Sequence, residues 1–305
     1  MYKRQRLYRV FKDNDIKVLH LNGGPASDMT TVFIAKLAGV KHVTFHSHNA
    51  GNAVYRNKIS VAMSKIFKLF MPVFVDEFWA CSSLAAQFSF PKSIVKNQKY
   101  KFIPNGIALE KFSYNVSLRK EMRKKLGVED KFVIGHAGRF NIQKNHEYLI
   151  EMFSALHSKC PDTVLLLFGD GELYKKIQDK VKKMNLEDCV RFMGTTDEMP
   201  EMYQAIDVFV MPSFCEGLPV AGVEAQASGL PVILADTITK EVGVTNCVKY
   251  LPLSDDKAEW VREILNFRGF KRYSRCEELK RAGFDEKDVA RYFQNYYLKV
   301  LENLK

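Results

Sequence analysis

Short apolar runs alternate with amphipathic stretches along the whole chain, the pattern of strands in a parallel sheet separated by crossover helices. In the first third, strands are predicted near Ile16 to Leu21, His42 to His46, Glu77 to Ala80 and Tyr100 to Ile103. Helical patterns at Met29 to Leu37, Lys58 to Phe70 and Leu84 to Phe88 lie between them. A polar, charged segment from Glu110 to Asp130 interrupts the series. Further strands follow at Phe132 to Ala137, Val164 to Phe168, Val190 to Met193, Val208 to Met211 and Val232 to Ala235. The interruption predicts a domain boundary near Gly106 to Asn115. From Glu286 to Leu304, Val289, Tyr292, Phe293, Tyr296, Tyr297 and Val300 recur at helical spacing and predict a terminal helix with one apolar side.

Composition narrows the class. With 305 residues, 47% of them hydrophobic, the chain can bury the core of one large or two moderate domains. Six cysteines occur without Cys-x-x-Cys spacing, which argues against a disulfide framework or a zinc site and for a reducing cytoplasm. The opening residues lack the charged-then-apolar pattern of a leader, and no apolar run approaches the roughly 18 residues of a membrane span. The longest candidate, Ile59 to Ala80, is broken by Lys65, Lys68, Pro72, Asp76 and Glu77. Charge is uneven: 16 of the 46 Lys and Arg but only 5 of the 35 Asp and Glu fall in residues 1–107, so that segment holds the whole net charge of +11. Such a basic face attracts an anionic leaflet or nucleic acid, or serves solubility alone.

The candidate chemistry centres on Glu216-Gly217-Leu218-Pro219-Val220-Ala221-Gly222-Val223-Glu224, which follows the strand predicted at Val208 to Met211 and runs into a helix ending near Ser228. Two carboxylates at a strand's carboxyl end stand where open α/β sheets bind ligands. Each can accept a pair of hydroxyl donors, which suits a polyhydroxylated ligand such as a sugar nucleotide. Read blandly, Glu224 is a helix-surface acid and Glu216 a charge favoured by a helix N-terminus. Arg139 and Lys144 sit after the strand ending at Ala137, where cationic groups and a helix N-terminus can converge on one anion. His46 and His48 form a His-x-His pair, but no third ligand adjoins them in sequence and no metal is expected. Asp13-Asn14-Asp15 precedes a strand and reads as a turn rather than a metal-binding Asp-x-Asp. No Gly-x-Gly-x-x-Gly follows either domain's first strand, which speaks against a dehydrogenase.

Glu-x7-Glu with Gly-Leu-Pro after the first Glu resembles the signature of family-4 retaining glycosyltransferases, and further matches occur in that family's order. They are Phe45-His46-Ser47-His48-Asn49, Ile103-Pro104-Asn105-Gly106-Ile107, Gly138-Arg139 with Lys144, Phe168-Gly169-Asp170-Gly171-Glu172 and Val190-Arg191-Phe192-Met193-Gly194. Taken together they are similar to bacterial exopolysaccharide and capsule enzymes. The resemblance implies an α/β GT-B fold, two Rossmann-like parallel-sheet domains facing a cleft. Residues 1–107 would form the acceptor side, 108–285 the nucleotide-sugar domain, and 286–305 a helix crossing back to the first domain. The family's opening strand and Gly-Gly loop have no counterpart here, and Asn22-Gly23-Gly24-Pro25 is a later element, so the first domain is expected to be N-terminally incomplete.

By the same resemblance His46, Arg139, Lys144 and Glu216 carry catalysis: His46 at the transferred sugar, the two cations on the departing diphosphate, and Glu216 on the donor sugar's hydroxyls. Glu224 takes the nucleotide ribose. Gly138, Gly169, Gly171, Thr195, Gly217, Leu218, Pro219 and Val220 shape the nucleotide-sugar site, with Asn49, Asn105 and Asp170 as weaker candidates. The expected activity is transfer of a hexosyl unit from a UDP-sugar to a saccharide or lipid-linked saccharide for surface polysaccharide, with no metal and no cofactor beyond the donor. Partners are then the donor, the acceptor and the anionic inner face of the cell membrane, with no nucleic acid. The rival reading is a nucleotide-binding pseudoenzyme or partner-binding protein on the same scaffold.

Overall fold

The computed structural model describes residues 2–23, 28–48, 51 and 58–304. Two compact units emerge. One comprises Met1–Asn105, Glu216–Leu218 and Lys287–Lys305, and the other Gly106–Cys215 and Pro219–Glu286. In chain order the first holds α1 (Tyr2–Asp13), β1 (Val18–Gly23), α2 (Asp28–Leu37), β2 (His42–Ser47), α3 (Lys58–Phe74), β3 (Glu77–Ala80), α4 (Ser83–Ser89), α5 (Lys92–Lys96) and β4 (Lys101–Phe102). The second opens with α6 (Leu109–Phe112), α7 (Val116–Lys125), β5 (Phe132–Ala137), α8 (His146–Lys159), β6 (Thr163–Phe168), α9 (Tyr174–Lys183) and β7 (Val190–Gly194). It continues through α10 (Met199–Ala205), β8 (Val208–Met211), α11 (Val220–Ala227), β9 (Val232–Ala235), β10 (Val248–Leu251), α12 (Ala258–Asn266) and α13 (Cys276–Arg281) to α14 (Glu286–Asn303). All but the first residue of α14 belongs to the first unit.

The first unit is a parallel four-stranded sheet in the order β1-β2-β3-β4. Val43, Phe45, Phe78 and Trp79 are buried in it. The apolar side of α14 closes this core: Phe293 stacks on Trp79 at 5.2 Å and Tyr296 meets the same ring edge-on at 4.8 Å. At the other side of the sheet α4 begins where Ser82 accepts a hydrogen bond from the Ala85 amide, a cap that answers an otherwise unpaired donor.

The second unit is a parallel six-stranded sheet in the order β10-β9-β8-β5-β6-β7. The chain builds β5, β6 and β7 outward, then returns to place β8 on the other side of β5. That pairing spans only Ile134 with Val208 and Gly135 with Phe209. Asp207 extends it: its amide donates to the Val133 carbonyl at 2.7 Å, and its carboxylate accepts from the Val133 amide at 2.7 Å. Arg119 and Arg123 of α7 answer the carboxylate's charge. Arg119 and Arg272 also donate to the carbonyls of Gln204 and Ile206, which the end of α10 leaves without helical partners. Burial, with Arg119 beside it, pulls the Arg272 guanidinium down to about 9.

The charged segment from Glu110 to Asp130 therefore carries two helices, because its arginines turn inward and Asn115 caps α7 by accepting from the Leu118 amide at 3.0 Å. Strand β10 was not predicted; its four residues alternate with solvent at the sheet edge and offer no continuous apolar run. Replacing Asp207 by Ala leaves the buried Arg123 and the half-buried Arg119 without their carboxylate and should cost the second unit about 3–5 kcal/mol in urea unfolding. A loss below about 1 kcal/mol would show that the switch between β5 and β8 holds without it.

Candidate active site

In an open parallel sheet, ligands bind beyond the carboxyl ends of strands where the strand order reverses, here at β5 and β8. The loop leaving β5 carries Gly138, Arg139 and Lys144. Asn141 accepts from the Lys144 amide at 3.1 Å, and Asn145, in the left-handed conformation at φ 54, donates its side-chain amide to the Pro212 carbonyl at 3.1 Å. The Phe214 amide donates to the Gln143 carbonyl, and Gln143 Nε2 to the Cys215 carbonyl. These bonds tie the loop after β5 to the start of the loop after β8.

Glycines set the spacing. A Cβ on Gly138 would stand 2.9 Å from Cδ and Cε of Lys144, so that side chain lies directly over the glycine. At Gly169, with φ +127, a Cβ would come within 2.2 Å of the Gly138 carbonyl oxygen, and one on Gly171 within 2.5 Å of the Phe140 oxygen. The loops after β5 and β6 thus pack backbone on backbone. Arg139 is 71% exposed, and its Nε lies 3.3 Å from Glu172 Oε2. A pair so open to water is weak, and the guanidinium can exchange it for a ligand anion. Gly194 accepts from the Gly169 amide at 2.8 Å and turns the chain at φ +68 into exposed Thr195 at the next strand end.

Pro219 caps α11 with φ −71, and Val220 begins the helix exposed to solvent. One turn on, Glu224 Oε2 accepts from the Tyr203 hydroxyl at 2.9 Å. Burial raises the carboxyl's pKa, and the Tyr203 hydrogen bond works against that rise. Tyr203 is itself buried, ringed by Phe112 and Phe209.

In the first unit Glu216, Gly217 and Leu218 are buried, and Asn105 reaches the Leu218 carbonyl at 3.4 Å. Asn105 Oδ1 also accepts from His48 Nδ1 at 2.8 Å, and His48 Nε2 lies 2.9 Å from the Asn22 side-chain amide. His46, 2% exposed, stands between His20 and His48 with Trp79 edge-on to its ring. Burial, then His48 and His20, brings its pKa down to about 3, and burial also lowers His20 and His48. Each neutral ring carries one N–H. The Tyr297 hydroxyl lies 2.9 Å from His20 Nδ1, and His20 Nε2 lies 3.2 Å from His46 Nδ1, a chain of hydrogen bonds in which each imidazole donates or accepts according to its tautomer. His46 Nε2 has no partner of hydrogen-bond geometry among the described residues, although the Ile103 backbone favours protonation of the ring.

Sequence reasoning found no third histidine beside His46 and His48; the register of β1 on β2 supplies His20. Tyr203 and Tyr297 were also missed, because their links to Glu224 and His20 span 21 and 277 residues. Asn49, Gly24 and Pro25 lie outside the described residues. Among the described residues no group of three or more His, Cys, Asp or Glu could hold a metal ion, and no helix is long and apolar enough to cross a membrane.

Comparison with known proteins adds three findings. Residues 119–250 match the family described as glycosyl transferases group 1. The chain is 34% identical to a putative glycosyltransferase EpsF of Bacillus subtilis over 89% of its own length and 73% of that protein. It is 29% identical to a UDP-Gal:alpha-D-GlcNAc-diphosphoundecaprenol alpha-1,3-galactosyltransferase of Escherichia coli, over 75% of this chain and 60% of that one. The crystal structure of Anabaena HepE in complex with UDP matches 97% of this chain and 82% of its own with a TM-score of 0.78 at 17% identity, a likeness of fold.

The buried histidines make acid stability a test of this geometry. In the second unit His136 and His146 are held at about 4 and about 2, each chiefly by burial. The unfolded chain protonates its histidines near 6.5 while His46, His136 and His146 stay neutral in the fold, so stability is complete above that pH and is lost as pH falls. Between pH 7 and 5 each ring should cost up to about 2 kcal/mol. Thermal melts by circular dichroism should show a clear fall in Tm; equal values at the two pH values would mean that these rings accept protons within the fold.

Proposed function

Because this chain belongs to the glycosyl transferases group 1 family, with a GT-B fold, we propose that it is a retaining glycosyltransferase that moves a hexosyl unit from a UDP-sugar to a saccharide or lipid-linked saccharide in surface polysaccharide synthesis. The observation that carries the reading is the Glu224 carboxylate, held by Tyr203 one turn into α11 in the unit whose β5 loop carries Arg139 and Lys144. A carboxylate with one oxygen engaged by the protein can accept from the vicinal hydroxyls of a ribose. Exposed Arg139, with Lys144 and the tightly packed glycine loops, suits the diphosphate, where negative charge develops as the anomeric bond breaks.

Glu216 and the amides of Gly217, Leu218 and Val220 take the donor sugar in this reading, and the unpartnered Nε2 of His46 meets a sugar hydroxyl. The acceptor hydroxyl forms the new glycosidic bond on the face the diphosphate leaves, and its proton passes to the departing phosphate oxygen. Arg139 and Lys144 supply the positive charge that a metal provides in other transferases. UDP in the HepE complex and the UDP-Gal donor in the name of the Escherichia coli relative support the choice of nucleotide. That relative's diphosphoundecaprenol acceptor and the basic residues 1–107 support work at the inner face of the cell membrane.

Calorimetric titration with UDP and with GDP tests the reading first. Selective UDP binding that Glu224→Ala reduces at least about tenfold supports it, the loss expected for charge-assisted bonds worth about 1.5–3 kcal/mol. Arg139→Met should keep the fold and lose turnover; full activity in that variant would remove the residue from the diphosphate. Binding should also weaken as pH falls through the raised pKa of Glu224, since the protonated acid accepts poorly from ribose hydroxyls. In Tyr203→Phe that loss should set in at higher pH, because the hydrogen bond opposing the rise is gone. A pH profile identical to wild type would show that Tyr203 does not act through the carboxylate.

A further inference from the structure

Helix α3 presents two apolar stripes where a surface helix needs one. Met71 is buried, and Phe67 and Phe74 meet Phe33 of α2 with ring centroids 6.4 and 4.8 Å apart, so this stripe closes the core. Ile66, Leu69 and Val73, at spacing i, i+3 and i+7, form another that faces solvent, with Leu69 75% and Val73 73% exposed, and Phe70 lies between the two stripes, partly exposed and with its ring 6.5 Å from Phe33. Scattered exposed apolar residues need no explanation, but a contiguous stripe marks a contact surface. It is about 10 Å long at the rise of an α-helix.

Leu69 also belongs to a groove of about 950 Å³ that it forms with Phe90 and with Lys65, Lys68, Lys92 and Lys96. No residue lining that groove is acidic. Ammonium groups around an apolar floor fit an anion joined to an apolar body. A bilayer bearing anionic headgroups supplies both components together: acyl chains for the stripe and phosphates for the lysines. A nucleic acid would leave the stripe uncovered. The charge balance points the same way, since residues 1–107 carry the entire net +11.

We infer that the solvent-facing stripe of α3 and the adjoining lysine groove seat the first unit on an anionic lipid bilayer, with α3 lying in the interface plane. This rests on the membrane-face reading above and names the surface responsible. The apolar side chains enter the headgroup and acyl boundary, and the lysines bind lipid phosphates at their edge. Attachment of this kind is reversible and weakens with salt, because the electrostatic part is screened within about 10 Å at 0.1 M.

The test is co-sedimentation of the full chain with vesicles of phosphatidylcholine alone or mixed with phosphatidylglycerol, at low and high salt. The chain should pellet with the mixed vesicles at low salt and remain in solution with phosphatidylcholine. Leu69→Glu with Val73→Glu, and separately Lys92→Glu with Lys96→Glu, should each lower partitioning at least about tenfold. All four of these side chains are exposed and lie outside the core, so melting temperature and UDP heats should stay as in wild type. If wild type pellets and both double variants pellet equally, another surface binds the membrane and the inference is wrong. If wild type ignores both vesicles yet glycosylates a soluble acceptor, the membrane-face reading itself fails. A dimer by analytical ultracentrifugation, abolished by Leu69→Glu with Val73→Glu and accompanied by no vesicle binding, would assign the stripe to a second copy and overturn it too.

Discussion

Strand β8 meets β5 over two register pairs, and the carboxylate of Asp207 makes up for the short ladder by bonding the Val133 amide. An ion in that position has lost much of its water, and only an opposing charge at hydrogen-bond distance makes the exchange tolerable. Arg119 and Arg123 provide it, and with Arg272 they take the carbonyls left open at the end of α10. Helix α7, helix α10 and strands β5 and β8 thereby become one block. The loop after β5 and the Tyr203 ring are both mounted on it, which is why a constraint well inside the sheet governs groups at its rim.

The candidate ligand groups in the two units share a device. In each, a polar side chain is taken largely out of solvent with one of its two functional atoms occupied by the protein. Tyr203 engages one oxygen of Glu224, and His20 engages Nδ1 of His46. The occupied atom fixes the orientation of the group and leaves its other atom for a ligand. Burial then keeps histidine neutral over the physiological range and makes glutamate easier to protonate than usual. The same burial supplies the geometry and limits the pH range in which it is useful.

How much was legible from sequence follows from which forces are local. Strands β8 and β9 were read to the residue, because strands covered on both faces are unbroken apolar runs with sharp ends. Strand β10, at the sheet edge, has no such run. Helix α7 has a charged composition and was read only as a polar segment, since the burial of Arg123 depends on a carboxylate 84 residues away. Glu224, Arg139 and Lys144 stood out by spacing and by their place after strands. Tyr203, His20 and Tyr297 did not, because nothing in the local pattern tells which of the 13 tyrosines will find a carboxylate or an imidazole.

The terminal helix has a consequence for the order of synthesis. Trp79 lies in the middle of the first sheet, yet the ring that stacks on it, Phe293, is made 214 residues later. At the usual ribosomal pace of about 5–20 residues per second, that interval is roughly 10–40 s. For most of it the β1 to β4 sheet stands with one apolar face uncovered, and the second unit, which runs to Glu286, is complete shortly before Phe293 is added. The half of the molecule translated first is thus the half completed last. An early sheet waiting for its cover is an evident client for chaperones that hold nascent chains.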